Sequence, residues 1–91
     1  MGNEMAQETV AAAASTEVPA YLMLIELGYS VDRVGKGEEE RWIAKKGTLE
    51  LIAHGPLELL GLCLLRSERG ARWQAADNEI DGFLKRFYPA R

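Results

Sequence analysis

Apolar and polar positions alternate with three different rhythms along this chain. Residues 16–28 carry apolar side chains at helical spacing: Val18, Leu22 and Ile25 form one stripe, and Tyr21 and Leu24 widen it. Ser15 or Thr16 suits the cap of such a helix. Pro19 falls in its first turn, where a missing N–H costs little, and Gly28 stands where a left-handed residue ends it.

The rhythm then becomes that of strands. Tyr29–Val34 is a short β-prone run, followed by a polar turn of Gly35-Lys36-Gly37 and Glu38-Glu39-Glu40. Arg41–Lys45 and Thr48–Ala53 flank Lys46-Gly47, which predicts a tight hairpin with glycine supplying positive φ. A two-residue loop at Lys46-Gly47 sets Ala44 opposite Leu49, Ile43 opposite Glu50 and Trp42 opposite Leu51. It gathers Trp42, Ala44, Leu49, Leu51 and Ala53 on one face, the pattern of a sheet with one buried side. A three-residue loop would shift this register.

Gly55-Pro56 breaks the last strand and opens a helix over Leu57–Arg69, with Pro56 at its first position and Gly70 closing it. This helix is apolar nearly all round. On a helical wheel Leu57, Leu60, Gly61, Leu64 and Leu65 share one broad side, while Leu59, Leu62 and Cys63 reach toward the other. Residues 71–76 form a connection that holds Trp73. Asp77 is placed to cap a last helix whose apolar residues Ile80, Phe83, Leu84, Phe87 and Tyr88 follow the i, i+3, i+4, i+7, i+8 pattern, and Pro89 stops it.

The predicted order is therefore α-β-β-β-α-α: an α+β fold in which helices pack a three-stranded antiparallel sheet. Residues 1–15, with an alanine run and no apolar stripe, read as a flexible N-terminal tail, leaving 16–91 as one domain. At 91 residues the chain has a thin core, so a partner has room to complete it.

Charge and cysteine content narrow the function classes. The net charge is −3, and residues 1–27 carry four glutamates and no Lys or Arg. No segment has the cationic excess that a phosphate backbone requires, so nucleic acid is not an expected partner. One cysteine makes no internal disulfide, and no apolar run approaches the length of a membrane span. Both favour a cytoplasmic protein without membrane association.

Candidate chemistry is sparse. His54, the one histidine, precedes Gly55-Pro56 and reads as a loop residue more readily than as a general base, leaving it a weak ligand candidate. Cys63 among leucines reads as a small buried hydrophobe. One His and one Cys do not make a metal site, and no cofactor loop is present; Gly35 and Gly37 match no phosphate-binding pattern. Glu38–Glu40 cannot converge on a cation if they lie along a strand. Arg66, Arg69 and Arg72 at spacing three, beside Trp73, make the best local anion site, though helix-dipole and solubility roles explain them more simply.

The expected function is thus a non-catalytic protein-interaction module, a homodimer through the leucine-rich helix. The interaction candidates are Leu59, Leu62, Arg66, Arg69, Arg72 and Trp73. Two alternatives compete with it. One is an acidic, immunity-type binder of a basic protein through the N-terminal glutamates and Glu38–Glu40. The other is a small enzyme or anion binder using His54 with Arg66, Arg69 or Arg72.

Overall fold

A computed structural model describes residues 7–90. The part of the N-terminal tail expectation that falls on residues 1–6 lies outside them. Residues 7–13 form no regular element and are exposed. A 3₁₀ turn, Ala14–Thr16, leads into helix α1 (Glu17–Glu26). Neither Ser15 nor Thr16 caps α1 as expected: the Thr16 hydroxyl reaches back and accepts the Ala13 N–H at 2.8 Å, so the capping group serves the preceding turn. The far end of α1 follows expectation. Gly28, at φ 96°, and Tyr29 donate their N–H groups to the carbonyls of Ile25 and Leu24, both at 3.0 Å. This paired closure satisfies the orphan carbonyls and delivers the Tyr29 side chain onto Leu24 in the core.

Strands β1 (Ser30–Val34), β2 (Arg41–Lys46) and β3 (Leu49–Ala53) make one antiparallel sheet in sequence order. The β2–β3 loop is Gly47-Thr48, not Lys46-Gly47. Lys46 pairs with Leu49, Ala44 with Leu51, Ile43 with Ile52 and Trp42 with Ala53. Glycine at the first loop position, φ 61°, supplies the one positive φ that a type II′ turn needs there. The resulting shift against expectation is two residues. Because side chains alternate with period two, the buried face is unchanged and only the partners differ. Lys45 thereby gains Glu50 as its cross-strand partner, Nζ–Oε2 3.7 Å.

Helices α1 and α2 (Pro56–Arg69) pack side by side on one sheet face around Leu24, Ala44, Leu51, Ala53 and Leu59. The stripe expected for α1 is not the buried one. Ala20 and Leu24 turn inward, while Val18, Leu22 and Ile25 are exposed. The middle of α1, from Val18 to Ile25, is apolar on every side, so periodicity does not select a face there. The side taken inward is the one that carries Ala20 and Leu24.

Helix α3 (Asp77–Phe87) follows a connection through Trp73 and buries no residue. Its cap is Glu79 and not Asp77: the helix begins one residue earlier than expected, and the Glu79 carboxylate accepts the N–H of Ala76 at 2.9 Å. With the N-terminal segment and α3 both leaving the body, the radius of gyration is 17.1 Å. A compact chain of this length would have about 12 Å. Among the described residues no helix is long and apolar enough to cross a membrane.

Candidate functional site

The leucine-rich helix has two faces of opposite fate. Leu59 is fully buried, and Leu62, Cys63 and Leu60 pack partly against the core. Leu59 is therefore a core residue and not the exposed anchor expected of it, and Leu62 is half-covered by the sheet side. The outward face belongs to Leu57, Leu64 and Leu65, with Leu64 61% exposed, and to Gly61, around whose missing side chain nothing lies within 4 Å. A signal for this orientation was available. Glu58 and Glu68 fall on the same half of the wheel as Leu57, Gly61, Leu64 and Leu65, and carboxylates mark the side that stays in water.

The outward face of α2 and the last turns of α1 enclose an open apolar groove of about 830 Å³, lined by Met23, Leu27, Leu57, Leu60, Gly61 and Leu64, with Tyr29 and Cys63 at its floor. Lys46 is the one charged residue among its lining. The Lys46 ammonium donates to the Leu27 carbonyl at 2.7 Å and lies 5.6 Å from the centre of the Tyr29 ring, tying the end of α1 to the hairpin.

The Tyr29 hydroxyl and the Cys63 sulfur meet at hydrogen-bonding distance, 3.5 Å. This hydrogen bond and burial push the Tyr29 hydroxyl up to about 12 from its ordinary 10.0. A raised folded-state pKa favours the neutral phenol. The stability that goes with it is complete below pH 10.0 and is lost as pH rises toward 12. Urea midpoints measured at pH 9 and pH 11.5 should therefore fall more for the wild type than for Tyr29→Phe, which has no proton to lose. Equal falls would mean that the phenol does not couple to folding.

Helix α3 presents a second apolar surface, the amphipathic stripe expected from its spacing. Ile80, Phe83, Leu84, Phe87 and Tyr88 are all exposed, Phe87 by 59% and Tyr88 by 71%. The Phe83 and Phe87 rings pack on each other with centroids 5.2 Å apart. Periodicity identified the face correctly; it carried no information about whether the connection turns that face toward the sheet.

The remaining candidates are spread over both ends of α2. At its N-terminus, Glu17 of α1 accepts the Leu57 N–H at 2.8 Å. Glu58 accepts the His54 backbone N–H at 2.8 Å and stands 3.3 Å from the His54 ring Nδ1. The backbone bond and then the ring hold the Glu58 carboxyl below its ordinary range. Two carboxylates thus already occupy the positive end of α2, which leaves it unsuited to an anion. His54 lines a shallow cleft with Tyr21, Trp42 and Pro56.

At the C-terminus, Arg69 donates Nε–H to the Trp73 carbonyl at 2.9 Å and lies 3.5 Å from Glu79, tying α2 to the start of α3. Arg66 lines a separate cleft with Leu62 and Trp73, and Arg72 is exposed. About 15–20 Å of helix separates His54 from these arginines at 1.5 Å per residue, so the expected His54–arginine constellation is not assembled.

The acidic turn is partly paired, with the Glu38 and Glu39 side chains exposed. Arg33 pairs with Glu40 at 3.2 Å, and the Arg41 guanidinium donates to the carbonyls of Glu38 and Glu40. Among the described residues no group of three or more His, Cys, Asp or Glu side chains is placed to hold a metal ion. No protein-family model, curated protein or solved structure matches the chain.

Proposed function

We propose that the protein is a non-catalytic interaction module that self-associates through the outward face of its leucine-rich helix α2. The observation that carries this reading is the groove formed by Leu57, Leu60, Gly61 and Leu64 with Met23 and Leu27, an apolar concavity with a single charged residue in its lining. An exposed apolar surface of this kind is unfavourable in water and marks a protein-binding face. The rest of the molecule supplies little chemistry to compete. Its histidine is bound to Glu58, one of its arginines is spent on Trp73 and Glu79, and Glu40 of its acidic turn is paired with Arg33.

Sedimentation equilibrium tests the reading. The wild type is expected at twice the 10.1 kDa of one chain at micromolar concentration. Leu64→Glu, which changes an exposed position, is expected at the mass of one chain with its fold intact by circular dichroism. A wild type that stays at 10.1 kDa across the range would overturn the proposal.

A further inference from the structure

The geometry points to a reciprocal exchange: α3 of one copy lies in the α1–α2 groove of a second copy, and the second copy's α3 lies in the first. This rests on the self-association proposed above and names the element that fills the groove.

Helix α3 cannot be explained by its own chain. It has 11 residues and buries none of them, yet isolated helices shorter than about 12–15 residues are marginal in water. Its apolar face is the most regular in the sequence, and Phe83, Phe87 and Tyr88 all stand in solvent. Its start is tied to the end of α2 by the Arg69 contacts to Trp73 and Glu79, and Gly70, at φ 86°, turns the chain there.

The same chain displays the complement. The groove is concave, apolar and open, and α3 is convex and apolar. A surface carrying both a donor helix and its receptor pairs either head-to-tail or reciprocally about a two-fold axis; the reciprocal dimer makes each contact twice and leaves no α3 or groove uncovered. The charges agree. Lys46 is the one charged residue in the groove lining, while α3 carries Asp77, Glu79 and Asp81 against Lys85 and Arg86.

The area is sufficient. Aromatic side chains bury roughly 150–250 Å² each. The exposed parts of Ile80, Phe83, Leu84, Phe87 and Tyr88, together with the exposed groove residues, then make on the order of 800 Å² per copy, the size of a standard stable interface.

The test uses full-length Phe87→Glu, which damages the donor, and Leu64→Glu, which damages the receptor. Both positions are exposed in the single chain, so the body of each variant folds. Each variant alone is expected to dimerise more weakly than wild type by more than about 30-fold, the loss that accompanies a hot-spot side chain. Mixed in equal amounts they form a dimer with one intact α3–groove contact and one damaged on both sides; because two changes at touching residues cost less than their sum, this dimer is expected to be tighter than either homodimer. A Phe87→Glu chain that dimerises as tightly as wild type would overturn the exchange and leave dimerisation through α2 standing. A monomeric wild type would overturn both readings, and one that also binds phosphatidylglycerol vesicles would reassign α3 to a lipid surface.

Discussion

Replacing Leu59 by Ala is expected to remove about 3 kcal/mol of folding stability, within the 2–5 kcal/mol that a buried leucine costs when truncated. Leu59 is fully buried and packs in one cluster with Leu24, Ala44, Leu51 and Ala53, so it joins α2 to both β2 and β3. Two of those neighbours are alanines, whose side chains cannot extend to fill the space left behind. A chain of 91 residues has a total stability of about 5–14 kcal/mol, so this one change takes a large share. The melting temperature should fall by about 12–24 °C. Leu64→Ala, five residues along the same helix but 61% exposed, is the control. In dilute monomer it should change stability by less than about 0.5 kcal/mol, in the manner of surface substitutions. Urea unfolding of both variants at low concentration makes the comparison. Similar losses would mean that the two faces of α2 are not divided as described.

The second large effect is expected at Gly35. It sits at φ 83° just after β1, and a Cβ there would fall on the carbonyl oxygen of Glu39. That neighbour is backbone in the 3₁₀ turn Gly37–Glu39, so a rotamer change cannot relieve the contact. Gly35→Ala should cost about 2–4 kcal/mol, combining a disfavoured left-handed alanine with displacement of the turn. Gly37 separates the two causes. Its φ is 56°, but nothing lies within 4 Å of its added Cβ, so Gly37→Ala should cost only about 1 kcal/mol. Hydrogen exchange should place the Gly35→Ala damage at the turn end of the β1–β2 pairing, at the Val34–Arg41 and Arg33–Trp42 pairs, before the Ser30–Lys45 end. Equal losses at the two glycines would show that backbone conformation alone matters and that the approach of Glu39 does not.

Much of the fold was legible before any coordinates. Pro56 and Gly70 bracket α2, Gly28 ends α1, and the alternation from Trp42 to Ala53 names the buried sheet face. These are local properties: a missing N–H, a tolerated positive φ and a period-two pattern act within a few residues. Caps were less legible. Thr16, Asp77 and Glu79 all have suitable side chains, and the start of the helix by one residue decides which is used.

The candidate site divides along the same line. Sequence alone determined that this is an α+β chain of order α-β-β-β-α-α, that α2 is greasy on more than one side and that α3 carries a regular apolar stripe. It could not choose which leucines of α2 face out, because a helix apolar all round satisfies any orientation equally well until a sheet and a neighbouring helix claim one side. That claim went to Leu59, leaving Leu57, Leu64 and Leu65 in solvent. The separation of His54 from the arginines, by contrast, follows from the predicted span of α2, because its rigid length sets that distance. Most of all, the tertiary structure decided the fate of α3. An amphipathic stripe requires an apolar cover but does not say whose, and here the chain turns at Gly70, Arg69 ties the start of α3 to the end of α2, and the stripe stays exposed.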